Sequence, residues 1–98
     1  MKINFDYIFK NLDGSNFGGD KTPLTLRTAA CTALINVLPG QNPKPEEKVR
    51  RYSLAVDIDK DIRGYELTIE DAAFVKKCIS DYYISPVLIV GQTYEVIK

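Results

Sequence analysis

Lys2-Ile3-Asn4-Phe5-Asp6-Tyr7-Ile8-Phe9-Lys10 is the stretch on which the fold class turns. Ile3, Phe5, Tyr7 and Phe9 alternate with Lys2, Asn4, Asp6 and Lys10, and Ile8 breaks the pattern. Successive side chains of an extended chain point to opposite sides. A period of two in aromatic and β-branched residues therefore predicts a strand with one buried face. Asn11-Leu12-Asp13-Gly14 follows. Asp-Gly is the favoured pair for a tight hairpin, because both central residues take positive φ. Ser15-Asn16-Phe17 reads as a short returning strand, and Gly18-Gly19-Asp20 ends it.

Downstream the hydrophobic period changes to that of helices. Leu26, Ala30, Ala33, Leu34 and Val37 recur at steps of three and four, which predicts a helix from Leu26 to Leu38 with Thr25 as its N-cap and Pro39-Gly40 as its stop. The small residues Ala29, Ala30 and Ala33 predict close approach to another element. After the loop Gln41-Asn42-Pro43-Lys44, Pro45-Glu46-Glu47 starts a second helix, with proline at the first position and acids at the positive end of the dipole. It is expected to run to about Ile58, with Arg51, Leu54, Ala55 and Ile58 on one stripe and Tyr52 and Val56 beside it. Tyr65-Glu66-Leu67 reads as a short extended piece that could pair with the hairpin. Thr68 caps a third helix, with Ala72, Val75, Ile79 and Tyr82 as its stripe and Phe74 and Cys78 flanking it. Ser85-Pro86 starts a last segment, read as a helix with Val87, Val90, Gly91, Tyr94 and Ile97 on one face. The aliphatic run Val87-Leu88-Ile89-Val90 fits a buried strand as well.

The expected fold class is thus α+β and helix-dominated: an N-terminal β-hairpin packed on a bundle of three to four short helices. The length of 98 residues suits a single domain over 1–98. The 13 Lys+Arg balance 13 Asp+Glu, which disfavours a protein whose main task is coating nucleic acid. Histidine is absent, so Ser-His and Cys-His pairs, a histidine base and mixed Cys/His zinc sites are excluded. Polar residues interrupt the N-terminus at every second position, unlike a signal peptide, and the longest aliphatic run falls far short of the roughly 20 residues of a membrane span. These features point to the cytosol. Cys31 and Cys78 then read as small hydrophobes rather than as a disulfide.

Each motif with chemical potential has a plainer explanation beside it. Asp57, Asp59 and Asp61 match positions one, three and five of a calcium loop, but Ile62 and Thr68 stand where glycine and glutamate belong. An acidic turn neutralised by Lys60 and Arg63 accounts for them. Glu46/Glu47 and Glu70/Asp71 are the nearest carboxylate pairs, and both open helices. The segment 14–19 lacks both Walker and dinucleotide spacings. Lys48, Arg50 and Arg51 form the densest basic cluster, and with Tyr52 they could meet phosphates or an acidic protein patch. Six tyrosines are too many for the core of so small a domain, and exposed tyrosine is a favoured interface anchor. Adjacent helical residues point about 100° apart, so at most one of Tyr82 and Tyr83 is expected to face the core. The other becomes a candidate contact.

The order of several motifs carries a resemblance: Asn11-Leu12-Asp13-Gly14, Leu24-Thr25-Leu26, the segment 47–55, Glu66-Leu67-Thr68-Ile69-Glu70-Asp71 and Ser85-Pro86-Val87-Leu88-Ile89-Val90-Gly91-Gln92. Together they resemble a family of small, uncharacterised bacteriophage and prophage proteins over most of the chain. The resemblance implies a phage or prophage origin and a helical last segment, and it gives no residue a role.

The functional expectation is a non-enzymatic, phage-encoded protein-binding protein that acts in the host bacterial cytoplasm, as an inhibitor of a host or defence factor. Its contact residues are expected among Arg50, Arg51, Tyr52, Tyr82 and Tyr83. No cofactor, metal or membrane is called for, the partner is a host or phage protein, and a homo-oligomer is allowed. The alternatives are a phage structural or assembly component, in or near the virion, and a nucleic-acid-binding regulator.

Overall fold

Thr25 holds extended backbone, and its hydroxyl accepts from the Thr28 amide at 3.2 Å, which starts the first helix as its sequence predicts. The computed structural model describes residues 2–19, 21–38, 40–61, 66–83 and 87–97. Within them the chain forms α1 (Leu26–Ile35), α2 (Pro45–Lys60), α3 (Ile69–Tyr82) and α4 (Val87–Val96). The α1 helix packs on α2 and α3, and α4 packs on α3.

Among the described residues there is no β-strand, so the N-terminal hairpin of the expected α+β fold is corrected to a helical bundle with an irregular N-terminal arm. The alternation itself survives. Ile3, Phe5 and Phe9 are buried, while Lys2, Asn4, Asp6 and Lys10 are exposed. What fails is the ladder. A strand needs its alternate N–H and C=O groups matched to one neighbour. Here the Phe9 amide donates to the Leu24 carbonyl at 2.9 Å, while its carbonyl accepts from Phe17 at 2.8 Å. The Leu24 amide closes the ring by donating to the Phe17 carbonyl at 2.9 Å. Lys10 turns to a side chain instead. Gln92 of α4 accepts from its amide at 2.9 Å and donates to its carbonyl at 2.8 Å. Only isolated bridges remain, Ile8 with Thr25, Lys10 with Asn16, and Lys2 with Glu66. The Lys2 bridge does place Glu66 against the N-terminal arm, and Tyr65 lies outside the described residues.

The turn differs too. The Asn11 amide donates to the Ser15 carbonyl and the Gly14 amide to the Asn11 carbonyl, with Gly14 alone at positive φ (90°). This is a wider loop than a two-residue hairpin turn. Asp13 accepts from both the amide and the hydroxyl of Ser15, which hold its carboxyl below the usual carboxylate range.

Helix ends follow from local competition. α1 stops at Ile35, before the expected Leu38, because the Asn36 amide side chain donates to the Thr32 carbonyl at 2.7 Å while Asn36 itself turns extended. Pro39 lies outside the described residues. α2 runs on to Lys60, so Asp57 and Asp59 are helical rather than part of a turn, and Asp61 ends the helix in left-handed backbone. Positions 62–64 of the supposed calcium loop lie outside the described residues. Thr68 caps α3 by accepting from Asp71 at 3.0 Å. The last segment is helix, not strand, although Ser85 and Pro86 lie outside the described residues. Its buried face is rotated from the expected one: Ile89, Thr93 and Ile97 are inside, while Val87 is 79% exposed. Threonine reaches the core because its hydroxyl donates to the Ile89 carbonyl at 2.7 Å and so is satisfied within its own helix.

The core is one cluster from Ile3 to Ile97. Ala29, Ala30 and Ala33 are buried where α1 meets its neighbours, as small residues at a close crossing require. The Cys31 thiol reaches the Ala55 carbonyl across this seam at 3.5 Å.

Two substitutions test the N-terminal arm. Gln92→Leu removes three hydrogen bonds, including one from the Tyr7 hydroxyl at 2.7 Å, in a partly solvated setting. The expected loss is about 1–2 kcal/mol in urea unfolding. Gly18→Ala places a Cβ 2.8 Å from the Thr22 carbonyl at φ 89°, whereas Gly14→Ala meets open space at φ 90°. Gly18→Ala should cost at least about 1 kcal/mol more than Gly14→Ala. Equal losses would contradict the placement of the Thr22 backbone against Gly18.

Candidate functional site

The α2 helix separates two depressions, and its basic residues have unequal roles. Arg51 lies on the same stripe as Leu54, Ala55 and Ile58 and is only 8% exposed. Its Nη1 donates to the last carbonyls of α1, Ala33 at 3.3 Å and Leu34 at 3.4 Å. Its Nε lies 3.4 Å from the Glu47 carboxylate, but the geometry makes no hydrogen bond, so that buried N–H is unsatisfied. Arg51 is therefore a helix-capping residue and not the exposed contact its cluster suggests. Arg50 is more open. It pairs with Asp71 of α3 at 2.9 Å and lies over the Phe74 ring at 4.2 Å from the centroid. The expected basic patch thus has two of its guanidinium groups engaged by the protein itself, one on buried Arg51 and one on exposed Arg50, and Lys48 is exposed as well.

Tyr82 and Tyr83 also serve the interior. α3 ends at Tyr82, and Tyr83 leaves helical geometry with φ −96° and ψ 66°. The 100° rule between neighbours no longer applies, so both rings pack half-buried against the core, edge to face at 4.9 Å. Burial, reinforced by Tyr82, raises the Tyr83 phenol above its ordinary range, against a hydrogen bond with Thr32 of α1.

Tyr52 behaves differently. It is 68% exposed on α2, beside exposed Val49 one turn earlier. Across a groove of about 260 Å³ stand Ile35, 63% exposed, and Val37, with Leu34 below and Lys48 at the rim. Sequence reading found Tyr52 and missed Ile35 and Val37, because it continued α1 to Leu38. The early end at Ile35 takes Val37 out of the helix, and Val37 lines the groove with Ile35, the last helical residue. The groove carries apolar surface with one exposed charge, the composition of a contact surface.

On the other side of Arg51, a second cleft of about 270 Å³ lies between the 41–43 loop, α2 and α3. A wider hollow of about 500 Å³ adjoins it at the start of α2, where Arg50 sits. The chemistry in reach is limited. Burial pushes the Cys31 thiol up to about 11, with Asp59 adding to it, and raises Cys78 as well, so neither is a ready nucleophile at neutral pH. Among the described residues no group of three metal-ligating side chains converges, and no helix is long and apolar enough to cross a membrane.

The unequal roles of the two arginines are measurable. Arg51→Met strips the Ala33 and Leu34 carbonyls of their donor and should lower unfolding free energy by about 1–3 kcal/mol. Arg50→Met removes a partly exposed ion pair and should cost less than about 1 kcal/mol. The reverse order in urea titrations would overturn the capping role. Comparison of the chain with protein-family models, with curated proteins and with solved structures found no match to any of them.

Proposed function

We propose that this chain is a non-enzymatic protein-binding protein that docks its partner in the groove between the end of α1 and the outer face of α2. The observation that carries the reading is the convergence of exposed Ile35, Val37 and Tyr52 on one groove. Isolated exposed apolar side chains are ordinary, but two aliphatics and a tyrosine ring that line one depression leave apolar area that burial against another protein would recover. Tyrosine supplies a rigid anchor with little entropy to lose. Lys48 at the rim favours a partner with an acidic residue beside the apolar side chain that fills the groove. The motif order supports a phage or prophage origin, and the partner in this reading is a host protein in the bacterial cytoplasm whose activity the docked chain blocks. The nucleic-acid alternative loses support from Arg50 and Arg51, whose guanidinium groups contact Asp71 and the α1 carbonyls.

The test is paired affinity purification from expressing bacteria, with Tyr52→Ala in parallel. The expected result is one host protein retained by the wild-type chain at moderate salt and weakened by about tenfold or more by Tyr52→Ala. Tyr94→Ala, on α4, should leave retention unchanged. Retention insensitive to Tyr52, or sedimentation showing that the groove is instead covered by a second copy, overturns the reading.

A further inference from the structure

The second cleft, between α2, α3 and the 41–43 loop, has a charge layout of its own. Glu47 and Arg51 stand one turn apart on α2, and Lys77 and Asp81 stand one turn apart on α3; all four line the cleft with Phe74 and Cys78. The lining carries two acids and two bases and so is neutral overall. A simple anion entering it meets Glu47 and Asp81, and a simple cation meets Arg51 and Lys77. A small molecule with both charges can oppose each pair to its own opposite.

One lining group also lacks a partner. The Nε–H of Arg51 belongs to a side chain nine-tenths buried, and the nearest acceptor, Glu47 at 3.4 Å, does not make the hydrogen bond. A buried donor left unsatisfied is unusual in a folded protein, and here it leaves the Arg51 charge incompletely matched by Glu47. A carboxylate matches a guanidinium edge in shape as well as charge. The volume of about 270 Å³ falls just below the ~300 Å³ at which drug-sized pockets begin, so the occupant has few heavy atoms. The Phe74 ring already has Arg50 over it at 4.2 Å, and the Cys78 thiol is buried and neutral, which leaves a small apolar floor.

We propose that this cleft binds a free α-amino acid with a small side chain. Its carboxylate pairs with Arg51 and Lys77, and its ammonium group pairs with Glu47 and Asp81. The site lies on the opposite side of Arg51 from the apolar groove and does not depend on a protein partner.

The experiment is amide-resonance titration of the full chain with alanine and serine, alongside alaninamide and N-acetylalanine, each of which keeps one of the two charges. Alanine or serine is expected to shift resonances of 41–43 and 74–81 with saturation, and each derivative is expected to bind at least about tenfold more weakly. Asp81→Asn should weaken alanine by several-fold and leave N-acetylalanine unchanged. Lys77→Met should weaken alanine and leave alaninamide unchanged. Both positions are outside the core, so the folded spectrum itself reports that these variants remain native. Absence of saturable shifts with either amino acid overturns the proposal, as does N-acetylalanine or alaninamide binding as tightly as alanine.

Discussion

The bundle depends on two arginines that cross between α1 and α2 in opposite directions. Arg27, near the start of α1, donates from Nε to the Ile58 carbonyl at 2.9 Å, close to the end of α2. Arg51, in the middle of α2, donates to the Ala33 and Leu34 carbonyls at the end of α1. With the Cys31–Ala55 contact between them, these contacts run in opposite order along the two helices, which makes the pair antiparallel. A helix leaves its last carbonyls without internal partners and its C-terminal end partly negative. α1 carries no basic residue in its last turn, so the cation comes from its neighbour. Arg51 thereby completes the end of α1, while Arg27 adds a second donor to the Ile58 carbonyl, which also accepts from the Asp61 amide at 3.2 Å. Arg27 extends the link by pairing with Asp6 of the N-terminal arm and with Asp61 at 3.7 Å. Sliding one helix along the other by a turn would separate both sets at once, and the alanines at the crossing leave no bulk to hold an alternative register.

Much of this was legible from residue spacing. The caps at Thr25 and Thr68 and the stripe Arg51-Leu54-Ala55-Ile58 follow from local chemistry, since a hydroxyl at a helix start and apolar residues at steps of three and four act within a turn or two. The N-terminal arm was legible only in part. Alternation states which side chains are buried, and Ile3, Phe5 and Phe9 obey it. It does not state where the backbone groups of Phe9 and Lys10 find partners. Those lie at Leu24, Phe17 and Gln92, up to 82 residues away, and a side-chain amide can replace a strand neighbour without any change in the pattern. α4 shows the same limit. Thr93 is polar by composition and wholly buried in fact, because its hydroxyl is consumed by the Ile89 carbonyl.

The contact residues divide along the same line. Arg51 and Tyr52 are neighbours in sequence and similar candidates by composition, yet one is buried and the other open. The difference is about 100° of helical rotation combined with the position of α1, and only the second of these is tertiary. Tyr82 and Tyr83 were assigned opposite fates by that same rotation, which fails there because the helix ends between them. Val37 was read as part of a helical face, and Ile35 lay in the same expected helix off that face. Val37 leaves the helix because Asn36 takes the Thr32 carbonyl and stops α1 early, a competition between two short-range hydrogen bonds that hydrophobic periodicity does not register.

Arg51 therefore joins stability to both surfaces. Its side chain lines both the apolar groove and the charged cleft, its Nη1 donates to the carbonyls at the end of α1, beside Ile35 and Val37, and its buried Nε makes no hydrogen bond. A residue chosen only for stability could satisfy the α1 carbonyls with fewer donors. A lysine, for instance, reaches them with a single rotatable head and leaves no second directed N–H behind. The guanidinium instead has one nitrogen that holds the α1 carbonyls and another whose N–H makes no hydrogen bond. That division leaves the two sides of α2 chemically distinct, one mainly apolar and one balanced between charges, while a single buried side chain holds both in place.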